Sequence, residues 1–219
     1  MQNDIREYEA ASLIAELAGK ARIILNVGPS WGRDFYALTE RGKQVINMDI
    51  APQRHLPAMV QGDAGRSFPF RTGFFDAVVM AEVLEHLIKD WIALREAYRV
   101  LKNDGRLIVT VPFYSDTPPY HVRIYSSRTI IRLLRASGFS PDQIVHRGGW
   151  TRFPRLVHAT RKLLAPLKLD RIWYQVVVGM DHRWGKHPWP KRWARGAYIL
   201  ARKSKALDWR RINVEVFQH

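Results

Sequence analysis

Apolar positions along this chain follow two rhythms that take turns. Ile5, Tyr8, Leu13 and Leu17 have helical spacing, and a dense apolar run over 21–27 follows it and stops at Gly28, as a buried strand would. The alternation then repeats. Helical spacing over 34–41 leads to a strand at 44–48, a short strand at 58–61 precedes Gly62-Asp63, and a strong strand spans 75–81. A helix over 91–101 comes next, then a strand at 106–111 entered through the turn Asn103-Asp104-Gly105, and a helix over 127–137 closed by Gly138. Strands separated by helices need crossover connections, which predict a mainly parallel sheet covered on both faces. The ligand of such a sheet belongs beyond the carboxyl ends of its strands.

Two of those strand ends suit a nucleotide-like ligand. A strand that stops at glycine, here in Val27-Gly28-Pro29-Ser30-Trp31-Gly32, lets the backbone approach a ligand closely. A carboxylate ending the next strand, Asp49, can accept hydrogen bonds from both hydroxyls of a ribose.

Composition narrows the class. With 47% apolar residues over 219 positions, the chain can bury one sizeable core, so a folded domain with an elaboration is expected and disorder is not. The absence of cysteine removes disulfides, thiolate zinc sites and thiol nucleophiles, and fits a reducing compartment; no metal site is assigned. Asp4, Glu7 and Glu9 stand where a signal peptide needs positive charge, so a cytoplasmic location is expected. The longest apolar stretch, 172–180, falls far short of the roughly 20 residues that span a bilayer. The net charge of +15 is unevenly placed: residues 1–149 hold 19 basic and 16 acidic side chains, giving +3, whereas 150–219 hold 16 and 4, giving +12. The last third is therefore expected to meet something anionic.

The order of the Gly28 turn, Asp49, Gly62-Asp63-Ala64, the block FDAVVMAEVLEHL over 75–87 and the block LKNDGRLIVTVP over 101–112 resembles the class I S-adenosylmethionine-dependent methyltransferases, in particular the subgroup with many small-molecule enzymes. The resemblance covers roughly residues 20–140. It implies a Rossmann-like, doubly wound sheet of seven mainly parallel strands, with 1–149 as the cofactor-binding core and 150–219 as a basic, Trp-rich lid or insertion plus the final strand. It also implies S-adenosylmethionine as cofactor. By that likeness Gly28 and Gly32 approach the methionine part, Asp49 takes the ribose, Asp63 and the Ala64 amide take the adenine, and Met80, Ala81 and Glu82 line the pocket. Two positions depart from the pattern: Asn26 replaces an acidic residue ending the first strand, and Ser30 replaces the middle glycine. Asn26 keeps an accepting carbonyl but no charge, and Ser30 adds bulk.

Acceptor chemistry is expected after the fifth strand. His121 and Tyr114 are the catalytic candidates, Tyr120 and Arg123 the residues that shape and charge the acceptor site, and His86 a structural support near the cofactor. Over 152–169, Phe153, Leu156, Val157, Leu163, Leu164 and Leu167 share one helical arc, with Arg155, Arg161, Lys162 and Lys168 off it, the pattern of a basic amphipathic helix. Trp173, Trp184, Trp189 and Trp193 follow, interleaved with basic residues, before a strand-like segment at 198–201. Three readings stay open. The favoured one is methyl transfer to a metabolite, saccharide or lipid-linked acceptor, with the tail as a lid or a contact to an anionic acceptor or membrane surface. The second is nucleic-acid methylation, with the tail holding phosphates and stacking bases; no Asn-Pro-Pro-Tyr-like motif follows the fourth strand, which counts against base-nitrogen methylation. The third is a noncatalytic binding protein on a degenerate site, motivated by Asn26 and Ser30.

Overall fold

The structure is a computed structural model that describes residues 5–113, 120–147, 159–160, 163–164, 166, 169–186 and 194–204. Helix α1 (Ile5–Ala18) leads into β1 (Ile23–Val27), α2 (Arg33–Thr39), β2 (Gln44–Asp49) and the short β3 (Met59–Gln61). Next come β4 (Phe75–Ala81), one 3₁₀ turn (Leu84–His86), α3 (Asp90–Val100), β5 (Leu101–Pro112), α4 (Ser127–Ala136) and β6 (Phe139–Arg147). Helix α5 (Asp170–Lys186) and β7 (Gly196–Lys203) complete the described elements.

The strands form one seven-stranded sheet in the order β3-β2-β1-β4-β5-β7-β6. β1 to β5 run parallel, and β7 is inserted antiparallel between β5 and β6. The chain reverses its direction of travel across the sheet between β1 and β4, and at such a switch point the loops after neighbouring strands part to leave a crevice.

The pleat sorts the apolar residues into two layers. On β4, Val78 and Met80 join Leu25, Val27, Leu94, Ala97, Ile130 and Leu134 on the face covered by α3 and α4. Ala77, Val79 and Ala81 point the other way and join Leu13, Ile14 and Leu17 of α1 and Phe35 and Leu38 of α2. Strands buried on both faces read as continuous apolar runs, which is why β1 and β4 are plain in the sequence. Each such leucine, valine or methionine removed from water contributes about 1.5–3 kcal/mol.

Two elements differ from the pattern reading. The Asn103-Asp104-Gly105 signal lies inside β5: Phe75 pairs with Leu101 and Ala77 with Arg106, so the segment between them bulges out opposite Asp76. Asp76 anchors that bulge, accepting from Lys102 Nζ at 2.6 Å and from the Ile23 and Arg22 amides at 2.8 and 3.0 Å. Strand β6 has little strand signal because Ser140, Pro141, Asp142 and Gln143 are poor strand formers. It tolerates them as the edge of the sheet, with a register shift beside Pro141.

Most of the amphipathic segment over 152–169 lies outside the described residues, as do Trp189, Trp193 and Tyr114. Helix α5 packs on β6 through Gly185, where an added Cβ would strike the backbone of His146. It carries Trp173 and Trp184, buries Val177, and leaves Ile172, Val176 and Met180 exposed. Among the described residues, no helix is long and apolar enough to cross a membrane.

Candidate active site

Because β1 to β4 are parallel, the loops after them open on one side of the sheet. They enclose a cleft of about 980 Å³, lined by Gly28, Trp31 and Arg33 after β1, Asp49 and Ile50 after β2, Asp63 and Ala64 after β3, and Ala81, Glu82 and His86 after β4. Four loops drawn from different parts of the sequence therefore converge on one hollow.

The β1 turn keeps a glycine-like path. Gly28 has φ 66°, and an added Cβ would sit 2.8 Å from Val83 Cγ2, so only glycine fits there. Ser30 has φ 50°. It therefore adopts the left-handed conformation that glycine favours. Gly32, at φ 87°, is the N-cap of α2; it is not one of the cleft-lining residues, although Trp31 and Arg33 on either side of it are.

Asp49 Oδ1 accepts from Ala51 N at 2.9 Å, which fixes the carboxylate at the cleft edge. Asp63 Oδ1 caps its own turn through Gly65 N at 2.8 Å, and Oδ2 meets Arg66 at 3.3 Å. Asn26 does not line the cleft. It is 1% exposed inside the sheet, where its Nδ2 donates to Asn47 Oδ1 at 3.1 Å. A carboxylate here would set its charge against the Asn47 carbonyl oxygen, whereas the amide supplies a donor. Met80 is likewise fully buried beneath the cleft rather than in its wall.

Glu82 turns the chain at the end of β4 with φ 56°, a strained conformation for a residue with a side chain. Partners from two other strands hold it: Thr110 Oγ1 donates to Oε1 at 2.8 Å and Arg147 Nη2 to Oε2 at 2.9 Å. Burial alone would favour a neutral Arg147, but the Glu82 charge outweighs it and holds the guanidinium protonated. Thr110 and Arg147 were not singled out in the sequence, and nothing local marks them: Arg147 lies 65 residues from its partner. Trp31, Ile50 and Ile88 were also missed. They are 81%, 64% and 75% exposed apolar side chains on the cleft rim, and that exposure appears only once the chain is folded.

Beyond Glu82 the 3₁₀ turn buries Leu84 and Glu85 and exposes His86. His86 stacks on Tyr120, with centroids 5.5 Å apart, and meets His121 edge-on at 4.7 Å. It thus belongs to the cleft wall as well as to the support beneath it. Burial, then the charge of Glu82, pushes the Glu85 carboxyl well above the usual carboxylate range. Burial, then His86, lowers His121 below its ordinary value, which favours the neutral imidazole. Arg123, expected to charge the acceptor site, is instead committed to Asp90 at 2.8 Å and to the Ile88 carbonyl at 2.7 Å. Asp90 also accepts from the Tyr125 hydroxyl at 2.7 Å, so this buried carboxylate ties the loop after β5 to the start of α3.

The sequence profile of the methyltransferase domain family matches residues 25–109, the segment that builds β1 to β5 and the cleft. Over those residues the chain is similar to the S-adenosylmethionine-dependent methyltransferases, and its sheet has their class I fold. The matched domain supports an S-adenosylmethionine-dependent methyltransferase. A search of curated proteins finds no match to the sequence. Among solved structures, the [4+2]-cyclase SpnF superposes with a TM-score of 0.63 at 23% identity, covering 89% of this chain and 80% of its own. The 1,6-didemethyltoxoflavin-N1-methyltransferase of Burkholderia thailandensis, solved with 1,6-didemethyltoxoflavin and S-adenosylhomocysteine, gives 0.60 at 16% identity, with 92% and 80% covered. A SAM-dependent methyltransferase from Archaeoglobus fulgidus gives 0.60 at 15%, with 91% and 94% covered. At these identities the likeness carries the fold; a cyclase among them illustrates that one fold serves several chemistries.

Proposed function

We propose that the chain methylates a small-molecule acceptor: a metabolite, saccharide or lipid-linked intermediate. The observation that carries this reading is the convergence of Gly28, Asp49, Asp63, Ala64 and Glu82 on one cleft of about 980 Å³. When bound, S-adenosylmethionine supplies a methyl group on a sulfonium, already activated toward a nucleophile. The residues present fit it. The Gly28 to Gly32 turn offers close backbone approach for the methionine part, Asp49 accepts the ribose hydroxyls, and Asp63 with the Ala64 amide receives the adenine. Asn26 and Met80 act from beneath by shaping the sheet. Glu82, fixed by Thr110 and Arg147, walls the cleft on the β4 side, and the apolar rim of Trp31, Ile50 and Ile88 excludes water. The protein's contribution to such a reaction is mainly alignment and desolvation, with a base needed for a hydroxyl or a protonated amine. His121, with its pKa lowered, is the candidate for that proton, and Tyr120 borders it.

The neighbour solved with 1,6-didemethyltoxoflavin supports a small acceptor by analogy of fold. The +12 charge of residues 150–219 supports an anionic group on that acceptor or beside it. Incubating the full chain with methyl-labelled S-adenosylmethionine and separate pools of polar metabolites, saccharides, lipid extract and RNA tests the reading. Label is expected in one small-molecule or lipid pool; label confined to RNA would overturn it in favour of nucleic-acid methylation.

A further inference from the structure

The 3₁₀ turn after β4 and the segment 120–125 bring together side chains that the cofactor cleft leaves unused. Glu85 is fully buried, yet neither of its carboxylate oxygens has a hydrogen-bond partner among the described residues. The same holds for the buried Nδ1 of His121. A buried carboxyl without a hydrogen-bond partner costs free energy in either protonation state, and a cation bound beside it would relieve that cost. Backbone geometry fixes the grouping. Val122 N and Arg123 N both donate to the Glu85 carbonyl, at 2.8 and 3.2 Å, and the Arg123–Asp90 ion pair holds the next residue, so His121 is carried to Glu85 by main-chain bonds. One ligand atom from each of Glu85, His86 and His121 lies within 4.8 Å of the other two.

We propose that Glu85, His86 and His121 form a binding site for a divalent first-row transition cation. Two imidazoles with one carboxylate match the borderline donors that manganese, iron, cobalt and zinc accept, whereas a magnesium or calcium site would be built from oxygen alone. Metal–ligand bonds of about 2.0–2.2 Å place neighbouring donors roughly 3–4 Å apart, and the exposed His86 can close the difference by rotating. Glu82 stands nearby, but its oxygens are committed to Thr110 and Arg147, so it adds negative potential without joining the ligand set. His86 also lines the cleft. Resting on the methyl-transfer reading above, the cation takes over from a free His121 imidazole the task of easing a proton off the acceptor, and its remaining positions suit an acceptor bearing an oxygen ligand, a hydroxyl or carboxylate, beside the methyl donor.

Chelator-stripped full chain titrated with Co²⁺, whose visible absorption reports nitrogen and oxygen ligands, tests the site, with Zn²⁺ and Mn²⁺ as competitors. The expected result is saturation near about one equivalent, with affinity lowered more than about tenfold in His86→Ala and His121→Ala. Glu85→Gln is expected to lose more; if it fails to fold by circular dichroism, the two histidine variants still decide. Absence of stoichiometric Co²⁺ binding, or wild-type affinity in both histidine variants, would overturn the proposal. S-adenosylhomocysteine is titrated separately into the same stripped protein. Lost cofactor binding with Co²⁺ binding intact would strike the methyl-transfer reading and spare the site, and the converse would strike the site alone.

Discussion

On the side of β1, β2 and β3, the cleft is walled by tight turns whose polar groups find partners within a few residues: Asp49 with Ala51 N, Asp63 with Gly65 N. On the side of β4, Glu82 depends on Arg147 from the far edge strand, and Glu85 lies buried with no partner for its carboxylate among the described residues. The first wall is a backbone cradle, complete in itself and suited to a ligand that many proteins share. The second is assembled over long range and carries desolvated charge, as befits groups that act on, or wait for, something specific. Catalytic sites concentrate perturbed groups in this way, while cofactor cradles do not need them.

The comparison breaks first at Gly28. Gly28→Val forces a side chain into a left-handed backbone, at about 1–2 kcal/mol, and into Val83 as well. Affinity for S-adenosylhomocysteine is expected to fall by two orders of magnitude or about 3 kcal/mol, read by calorimetry. Near-normal affinity would mean that the turn is only a turn. On the opposite wall, Arg147→Ala leaves Glu82 strained and without its cation. A loss of about 2 kcal/mol in urea unfolding is expected, below the 3–5 kcal/mol of a fully buried pair because both partners are partly exposed. A loss under about 0.5 kcal/mol would place Glu82 among ordinary surface ion pairs.

At the far end of β4 from the cleft, Asp76 offers a control on ordinary fold electrostatics. Burial works against its charge, but the Lys102 ammonium and the Ile23 and Arg22 amides prevail and hold it below the usual carboxylate range. A depressed folded pKa stabilises above the unfolded value, near about pH 3.9, and that gain is lost as pH falls through the folded value. Asp76→Asn is therefore expected to cost about 1 kcal/mol at pH 7, with the gap to the wild type closing below about pH 4 in acid unfolding. A gap independent of pH would show that shape, not charge, matters there. The smallest effect belongs to Ser30→Gly: relief of the left-handed serine is expected to add up to about 1 kcal/mol of stability and change cofactor affinity by less than about twofold. A tenfold gain in affinity would reveal Ser30 as an obstruction, and with it a degenerate site.

What the sequence revealed follows the same division. β1, β4 and the Gly28 turn are legible because doubly buried strands are apolar throughout and a close approach demands glycine, and both signals are local. Strand β6 is hidden because an edge strand can carry Pro141 and polar residues, and the Asn103-Asp104-Gly105 signal marks a bulge as faithfully as it marks a turn. Asn26 stands at the strand end where the family resemblance implies a cofactor contact, but the pleat turns it toward Asn47, and a strand end does not by itself say which way a side chain points. The grouping of Glu85 and His86 with His121 could not be foreseen from spacing, since it depends on the loop after β5 folding back onto the 3₁₀ turn through the Glu85 carbonyl.

The central claim, that the ends of β1, β2 and β3 form one adenosyl-binding cradle, meets its most direct test in calorimetric titration of S-adenosylhomocysteine into the wild type and Asp49→Ala. Saturable binding by the wild type is expected, with affinity about 100-fold lower in Asp49→Ala as two charge-assisted hydrogen bonds are lost and an unchanged circular dichroism spectrum. Equal affinity in the two proteins, or no saturable binding by the wild type, would contradict it.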